Sequence, residues 1–279
     1  MDLDTLLEKA LGLADEGDWA GMADLLRENL AGFDEEPAVH CWLGVAEREM
    51  GMEGVAYERF RRALALEPED PYVLATAGNG IAAFDDPDAE QALRAAALLA
   101  PDVPMTRMLY GAFLSREGFA EQALEELRAA RELDAEDPQI AYELGVARYL
   151  AGDQEGAADA LGEAVALDPR DGWARIVFGL LLLEAKRNEE AAGELAEGAR
   201  LRPDDVEAQM AAALAAAASG ADDLAFEMLE RARIRAGEAD QAAVAEVEER
   251  ILAGPEEARE LLEEEVAADL LRTRLRERP

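Results

Sequence analysis

The chain of 279 residues contains one cysteine, one histidine, two lysines and only 5% aromatic residues. The lone Cys41 excludes a disulfide within the chain. The lone His40 excludes histidine-based multi-ligand metal sites and leaves a serine elsewhere without a histidine base. His40 and Cys41 are sequence neighbours, and neighbours on a helix point apart, so they do not read as a Cys-His catalytic pair. No uncharged run exceeds 14 residues, and one of that length, Ala208 to Ala221, is mostly alanine. A membrane-spanning helix needs about 18 or more, so no span is expected. The opening MDLDTLLEKA lacks the basic start and apolar core of a signal peptide, and a reducing cytoplasm is the expected compartment.

What the chain does have is negative charge and alanine. Its 27 lysines and arginines face 63 aspartates and glutamates, a formal charge of −36. Such a mean field repels phosphate backbones and anionic lipid, which argues against nucleic acid as a partner. Half the residues are apolar yet few are bulky rings, a composition suited to closely packed helices with small contact residues.

The chain also repeats itself. Patterns of glycine followed by spaced apolar residues place helical hairpins near Leu3, Pro37, Pro71, Pro104, Pro138, Gly172, Val206 and Asp240, at intervals of 34 residues, once 33. In the hairpin from Pro138 the recurring residues are Leu144, Gly145, Ala157, Leu161, Ala164 and Pro169; in that from Pro37 they are Leu43, Gly44, Ala56, Phe60, Ala63 and Pro68. A glycine inside a helix costs about 1 kcal/mol relative to alanine. The cost recurs at Gly44, Gly78, Gly111, Gly145 and Gly179, so each glycine is expected to admit a close neighbour, with Ala56, Ala89, Ala123, Ala157 and Ala191 as the facing small residues. Pro37, Pro71, Pro104 and Pro138 sit where a first helical turn tolerates proline.

A 34-residue period of paired amphipathic helices with these residues resembles the tetratricopeptide repeat. The resemblance covers nearly the whole chain, with departures: the family's first-helix tryptophan is replaced by residues such as His40, Leu74 and Ala141, and its tyrosine by Glu47 or Arg148. It implies an all-α fold, an α-solenoid superhelix of stacked antiparallel hairpins over about 3–36, 37–70, 71–103, 104–137, 138–171, 172–205 and 206–239. Residues 240–279 are expected to form a capping pair, with Pro255 to about Arg278 as one long amphipathic helix carrying Ala258, Leu261, Leu262, Val266 and Leu270. Arg272, Arg274, Arg276 and Arg278 then complement the dipole at its C-terminal end.

The resemblance further implies a concave groove lined by first helices at repeat positions 2, 5, 9 and 12. Those positions supply Tyr72, Asn79, Met105, Met108, Tyr142, Val146, Tyr149, Trp173, Ile176 and Leu180 as candidate peptide-binding residues. The plainer reading of the same stripe is packing between adjacent first helices; Tyr142, Tyr149 and Trp173, standing where a repeat's first helix needs no packing residue of its own, favour the groove. The family's carboxylate clamp would need cations where Cys41, Ala75 and Met108 stand, and only Asn79 suits it.

Nothing else in the chain converges on chemistry. Asp85, Asp86 and Asp88 lack the spacing of a calcium loop and read as helix caps; Glu263, Glu264 and Glu265 read as a solvated face. Gly78-Asn79-Gly80 lacks the third glycine and the preceding strand of a phosphate loop. The expected function is a non-catalytic protein-interaction scaffold without cofactor or metal, whose groove takes an amphipathic helix or extended apolar segment, with basic flanks favoured by its acidic rims. The alternative is a structural protein that self-associates into a homo-oligomer or filament through the groove or its terminal helices.

Overall fold

The computed structural model describes residues 1–276, and among these the chain is all helix and turn, with no strand. Arg278, the last of the four terminal arginines, and Pro279 lie outside the described residues. The chain falls into two compact units, Met1–Leu133 and Asp134–Pro279. The first contains α1 (Leu3–Asp15), α2 (Trp19–Asn29), α3 (Pro37–Glu49), α4 (Glu53–Ala65), α5 (Pro71–Ala82), α6 (Asp88–Leu99), α7 (Pro104–Arg116) and α8 (Ala120–Leu133). The second contains α9 (Pro138–Leu150), α10 (Gln154–Leu167), α11 (Gly172–Glu184), α12 (Asn188–Leu201), α13 (Val206–Ala218), α14 (Asp222–Arg235), α15 (Gln241–Ala253), α16 (Pro255–Leu261) and α17 (Ala267–Arg276). Odd- and even-numbered helices pair as hairpins, and within each unit successive hairpins pack on one another as tetratricopeptide repeats do.

The local chemistry explains the boundaries. Aspartate carboxylates cap α1, α5, α9, α11 and α13 by accepting backbone N–H bonds, so part of the chain's acidity is spent on helix starts. Proline opens α3, α5, α7 and α9, where its missing N–H would have had no partner. Between the helices of each hairpin one residue takes a left-handed conformation, at a spacing of 33 or 34 residues. Gly17, Gly51, Gly118, Gly152 and Gly220 hold it without strain, whereas Asp85 (φ 53°) and Lys186 (φ 59°) hold the same position with a side chain.

The interior glycines do admit a close neighbour, but not chiefly the alanines expected to face them. A Cβ on Gly44 would stand 2.8 Å from the Phe60 ring, on Gly111 2.7 Å from Leu127, on Gly145 2.7 Å from Leu161 and on Gly179 2.8 Å from Leu195. The large side chain one turn beyond each alanine fills the space, and Ala123 and Ala157 contribute backbone carbonyls at 3.2 Å. Glycine thus lets a bulky residue of the second helix seat on the backbone of the first. Phe60, larger than the leucines at the equivalent positions, is pinched from a second side by Gly80 of α5. Gly78-Asn79-Gly80 is therefore a packing motif, with Gly78 against Ala92 and Leu93.

The C-terminal segment departs from a plain α-helix. Its apolar residues recur every four positions (Ala258, Leu262, Val266, Leu270), a spacing that drifts by about 40° per step around a helix of 3.6 residues per turn. A π-helical turn over Leu262–Val266 absorbs that drift. Leu261 just before it, Leu262 at its start, and Leu270, Leu271 and Leu275 after it are all buried in one core with α9 to α15. In addition, α16 packs against α13 and α15 rather than α14, which turns the segment onto the face formed by first helices.

Gly80→Ala should destabilise the chain by about 1–3 kcal/mol in urea unfolding, because the added methyl meets the Phe60 ring. Combined with Phe60→Leu, the same change should cost clearly less than the two single costs summed. Strict additivity would show that the two residues do not compete for one space.

Candidate functional site

In the first unit the candidate groove residues are unequally presented. Tyr72 is 47% exposed, Asn79 and Met105 are half-buried, and Met108 is buried. Cys41 is buried, its Sγ 3.9 Å from the Val73 carbonyl, and burial, aided by Asp70, pushes its thiol up to about 12. A thiol so hard to ionise is not a nucleophile. His40 is buried beside it, with Nε2 2.9 Å from the Asp34 carbonyl oxygen.

Carboxylates of this unit are engaged in structure. Buried Glu47 accepts from Arg27 (2.9 Å) and Arg59 (3.3 Å), joining α2, α3 and α4. Asp86 accepts from the Asp88 amide (3.0 Å), as a cap would, and also from the Tyr57 hydroxyl (2.7 Å) and Arg61 (2.6 Å). Burial pushes the Asp86 carboxyl up, but those three donors outweigh it and hold it below the usual carboxylate range.

In the second unit the predicted stripe is mostly inside. Val146, Ile176 and Leu180 have at most 1% of their surface exposed and serve as packing between helices. Tyr142 and Trp173 are buried too, but as a pair: the Trp173 indole N–H donates to the Tyr142 hydroxyl at 2.9 Å. Tyr149 is half-buried and donates to Glu184 at 2.9 Å; burial and that carboxylate push its phenol up to about 12.

What covers Trp173 is arginine. The guanidiniums of Arg202 and Arg274 lie 5.1 and 4.8 Å from its ring centroid, distances at which a cation is attracted to an indole face. Nη2 of Arg274 also donates to both carboxylate oxygens of Asp205 (2.8 and 2.9 Å) and reaches Glu207 at 3.3 Å. Asp205 is itself fixed, because its side chain caps α13 by accepting from the Ala208 amide at 3.0 Å. Beside Arg274 an open cleft of about 590 Å³ is walled by Arg202, Asp204, Asp205, Glu207 and Asp240. Arg274 is thus the anchor of a buried ion pair, a role that complementing a helix dipole does not describe.

Four contacts trace the path of the terminal helix. Arg259 donates to the Ala218 carbonyl at the end of α13 (2.9 Å), and Glu263 pairs with Lys186 just past the end of α11 (3.0 Å). Arg274 lies at the other end, by Asp205 before α13 and Trp173 in the first turn of α11. The segment therefore runs antiparallel to both α11 and α13, in the valley between two first helices. Sequence reasoning missed Arg202, Asp205, Glu207 and Arg274 as a group, since they come together only through this fold-back. The available signal was the apolar spacing of residues 258–275, which demands a wide apolar surface to lie on.

Neither a family model nor a curated protein matches the chain. Solved structures do. A chain of the APC/C hetero-tetramer Cut9-Hcn1 matches with a TM-score of 0.72 at 18% identity, over 90% of this chain and 49% of its own. This chain spans about half the length of that relative. The thermophilic tetratricopeptide-repeat protein TTC0263 of Thermus thermophilus matches with a TM-score of 0.57 at 23% identity, over 64% of this chain and 98% of its own. PilF of Pseudomonas aeruginosa matches with a TM-score of 0.58 at 19% identity, over 77% and 98%. The fold is that of tetratricopeptide-repeat proteins. No helix among the described residues is long and apolar enough to cross a membrane.

A carboxyl held low in the folded state contributes stability above its unfolded pKa of about 3.9 and loses it as pH falls through the folded value. Asp86→Asn should therefore lower stability at pH 7, and the gap to the parent should narrow as pH falls below about 4. Thermal unfolding of both across pH 2.5–7 checks this; a gap independent of pH would show that the charge of the carboxylate is not what stabilises the fold.

Proposed function

We propose that the chain is a non-catalytic protein-interaction scaffold that receives an amphipathic helix on its first-helix faces. One observation carries the reading: the valley between α11 and α13 already holds such a helix, the chain's own terminal segment, laid antiparallel along both. A face that seats one amphipathic helix by buried leucines and an anchored arginine has the chemistry to seat another. In the first unit, exposed Tyr72 with half-buried Asn79 and Met105 offers an aromatic and polar face with no such cover from its own unit's end.

The scaffold reading fits the state of the reactive groups. The Cys41 thiol is held protonated, and the buried carboxylates Glu47 and Asp86 are bound by arginines within the fold. The charge of −36 favours partners with basic flanks.

Affinity capture with the intact chain, compared with Trp173→Ala and Tyr72→Ala, tests the reading. A genuine partner should lose about 2 kcal/mol, roughly 30-fold in affinity, on at least one of these variants. Full affinity in both, with circular dichroism matching the parent, would move the site off the first-helix faces. A stable oligomer in light scattering, dispersed by the same changes, would favour self-association instead.

A further inference from the structure

The pocket around Arg274 is built without Arg274. Trp173 is oriented by the Tyr142 hydroxyl (2.9 Å), and Asp205 by the Ala208 amide (3.0 Å). An indole face on one side and two carboxylates on the other form a receptor for a planar guanidinium, which binds by stacking and charge-assisted hydrogen bonds together. Arg274 fills it with only 8% of its surface exposed, yet its Nε has no hydrogen-bond acceptor among the described residues, and the Nε of Arg202, which also lies over the ring, reaches Asp205 only as an ion pair at 3.7 Å. The occupant uses the pocket incompletely.

The stretch that leads into the occupant is poorly matched in charge, whereas α17 itself sets Arg272, Arg274 and Arg276 against Asp269. The terminal segment carries Glu256, Glu257, Glu260, Glu263, Glu264, Glu265 and Asp269 along a body that is itself strongly acidic. Lys186, one of two lysines in the chain, pairs with Glu263, while Arg259 and Arg272 pair with Glu256 and Asp269 of the segment itself. Apolar burial, Arg274, the Arg259 bond to the Ala218 carbonyl and the Lys186–Glu263 pair hold down a segment whose acidic stretch faces an acidic body. A free helix with the same apolar face and basic residues in place of the Glu-rich stretch 256–265 would gain attraction to this acidic body.

Resting on the scaffold reading above, we infer that the valley between α11 and α13 is a recognition groove for a helix bearing Leu-Leu-x-x-Arg-Leu. The arginine of that motif enters the pocket of Trp173, Asp205 and Glu207. The chain's own Leu270, Leu271, Arg274 and Leu275 are the resting occupant, and a partner helix with basic flanks replaces them. Tethering gives the resting occupant a local concentration of about millimolar order, so it sets a threshold that acidic or arginine-free helices do not pass.

The test uses the full chain and two fluorescein-labelled synthetic peptides. One has the sequence of residues 267–276 with two lysines added at each end; the other is identical except for Arg274→Ala. Binding is read by fluorescence anisotropy against the parent chain and the full-length Arg274→Ala chain. The first peptide should bind the variant chain at least tenfold more tightly than the parent, since the resting occupant is weakened. On either chain the second peptide should bind at least tenfold more weakly than the first. Adding Glu207→Gln to the variant chain should weaken the first peptide and leave the second unchanged. Should Arg274→Ala lower the helicity of the chain, Arg274→Lys replaces it, and the peptide preference on the unaltered parent chain decides by itself. Equal binding of the two peptides would overturn the arginine pocket while leaving a helix-binding scaffold intact. First-peptide binding no tighter to the variant than to the parent would overturn the terminal helix as competitor. Failure of both peptides on both chains at millimolar concentration would overturn this inference and the helix-binding reading of this face together.

Discussion

In the hairpins that begin at Pro37, Pro104, Pro138 and Gly172, a large side chain of the second helix rests against the bare backbone of a glycine in the first. Phe60, Leu127, Leu161 and Leu195 sit at less than normal Cβ distance from the positions that Gly44, Gly111, Gly145 and Gly179 leave empty. The helical cost of each glycine is offset by dispersion contacts that no other residue would allow. Because the fit is local, it varies by repeat: Phe60 requires a second glycine, Gly80, from the next hairpin, whereas leucine does not. The rest of the fold follows from stacking such hairpins inside each unit, and the stack presents first helices side by side.

Two first helices side by side leave a valley, and in the second unit the chain fills it. The turn onto this face is made at Gly254, whose φ of 134° only glycine adopts readily, followed by Pro255 at the first position of α16. The π-helical turn then keeps leucines on both sides of it pointing into the same valley. Buried apolar residues supply the attachment, and the ion pair of Arg274 with Asp205 fixes the register along the valley. A buried ion pair is weak evidence for added stability, since desolvation offsets the attraction.

Much of the fold was legible because its determinants are local. Prolines and capping aspartates mark helix starts within a residue, and recurrent glycines mark hairpin packing wherever they fall. The face each glycine meets was less legible: alanines looked complementary in size, but the space belongs to the residue one turn on. At the candidate site, Trp173 and Tyr142 stood out as aromatic residues that a repeat does not need; they are joined to each other in the interior, and Arg274 lies over the Trp173 ring. Arg274 and Asp205 are 69 residues apart. No period or spacing links such a pair, and the four-residue apolar rhythm from Ala258 to Leu270 conceals a π-helical turn that only tertiary packing reveals.

The inferred exchange of the terminal helix for a partner helix in the groove has a direct readout. Hydrogen–deuterium exchange on the full chain, with and without a saturating basic Leu-Leu-x-x-Arg-Leu peptide, addresses it directly. Exchange should accelerate across Ala267–Arg276 when the peptide is present, while α11 and α13 stay as protected as before or become more so. If Ala267–Arg276 keeps or gains protection with the peptide bound, the terminal helix is a permanent part of the core, and its exchange for a partner helix is contradicted.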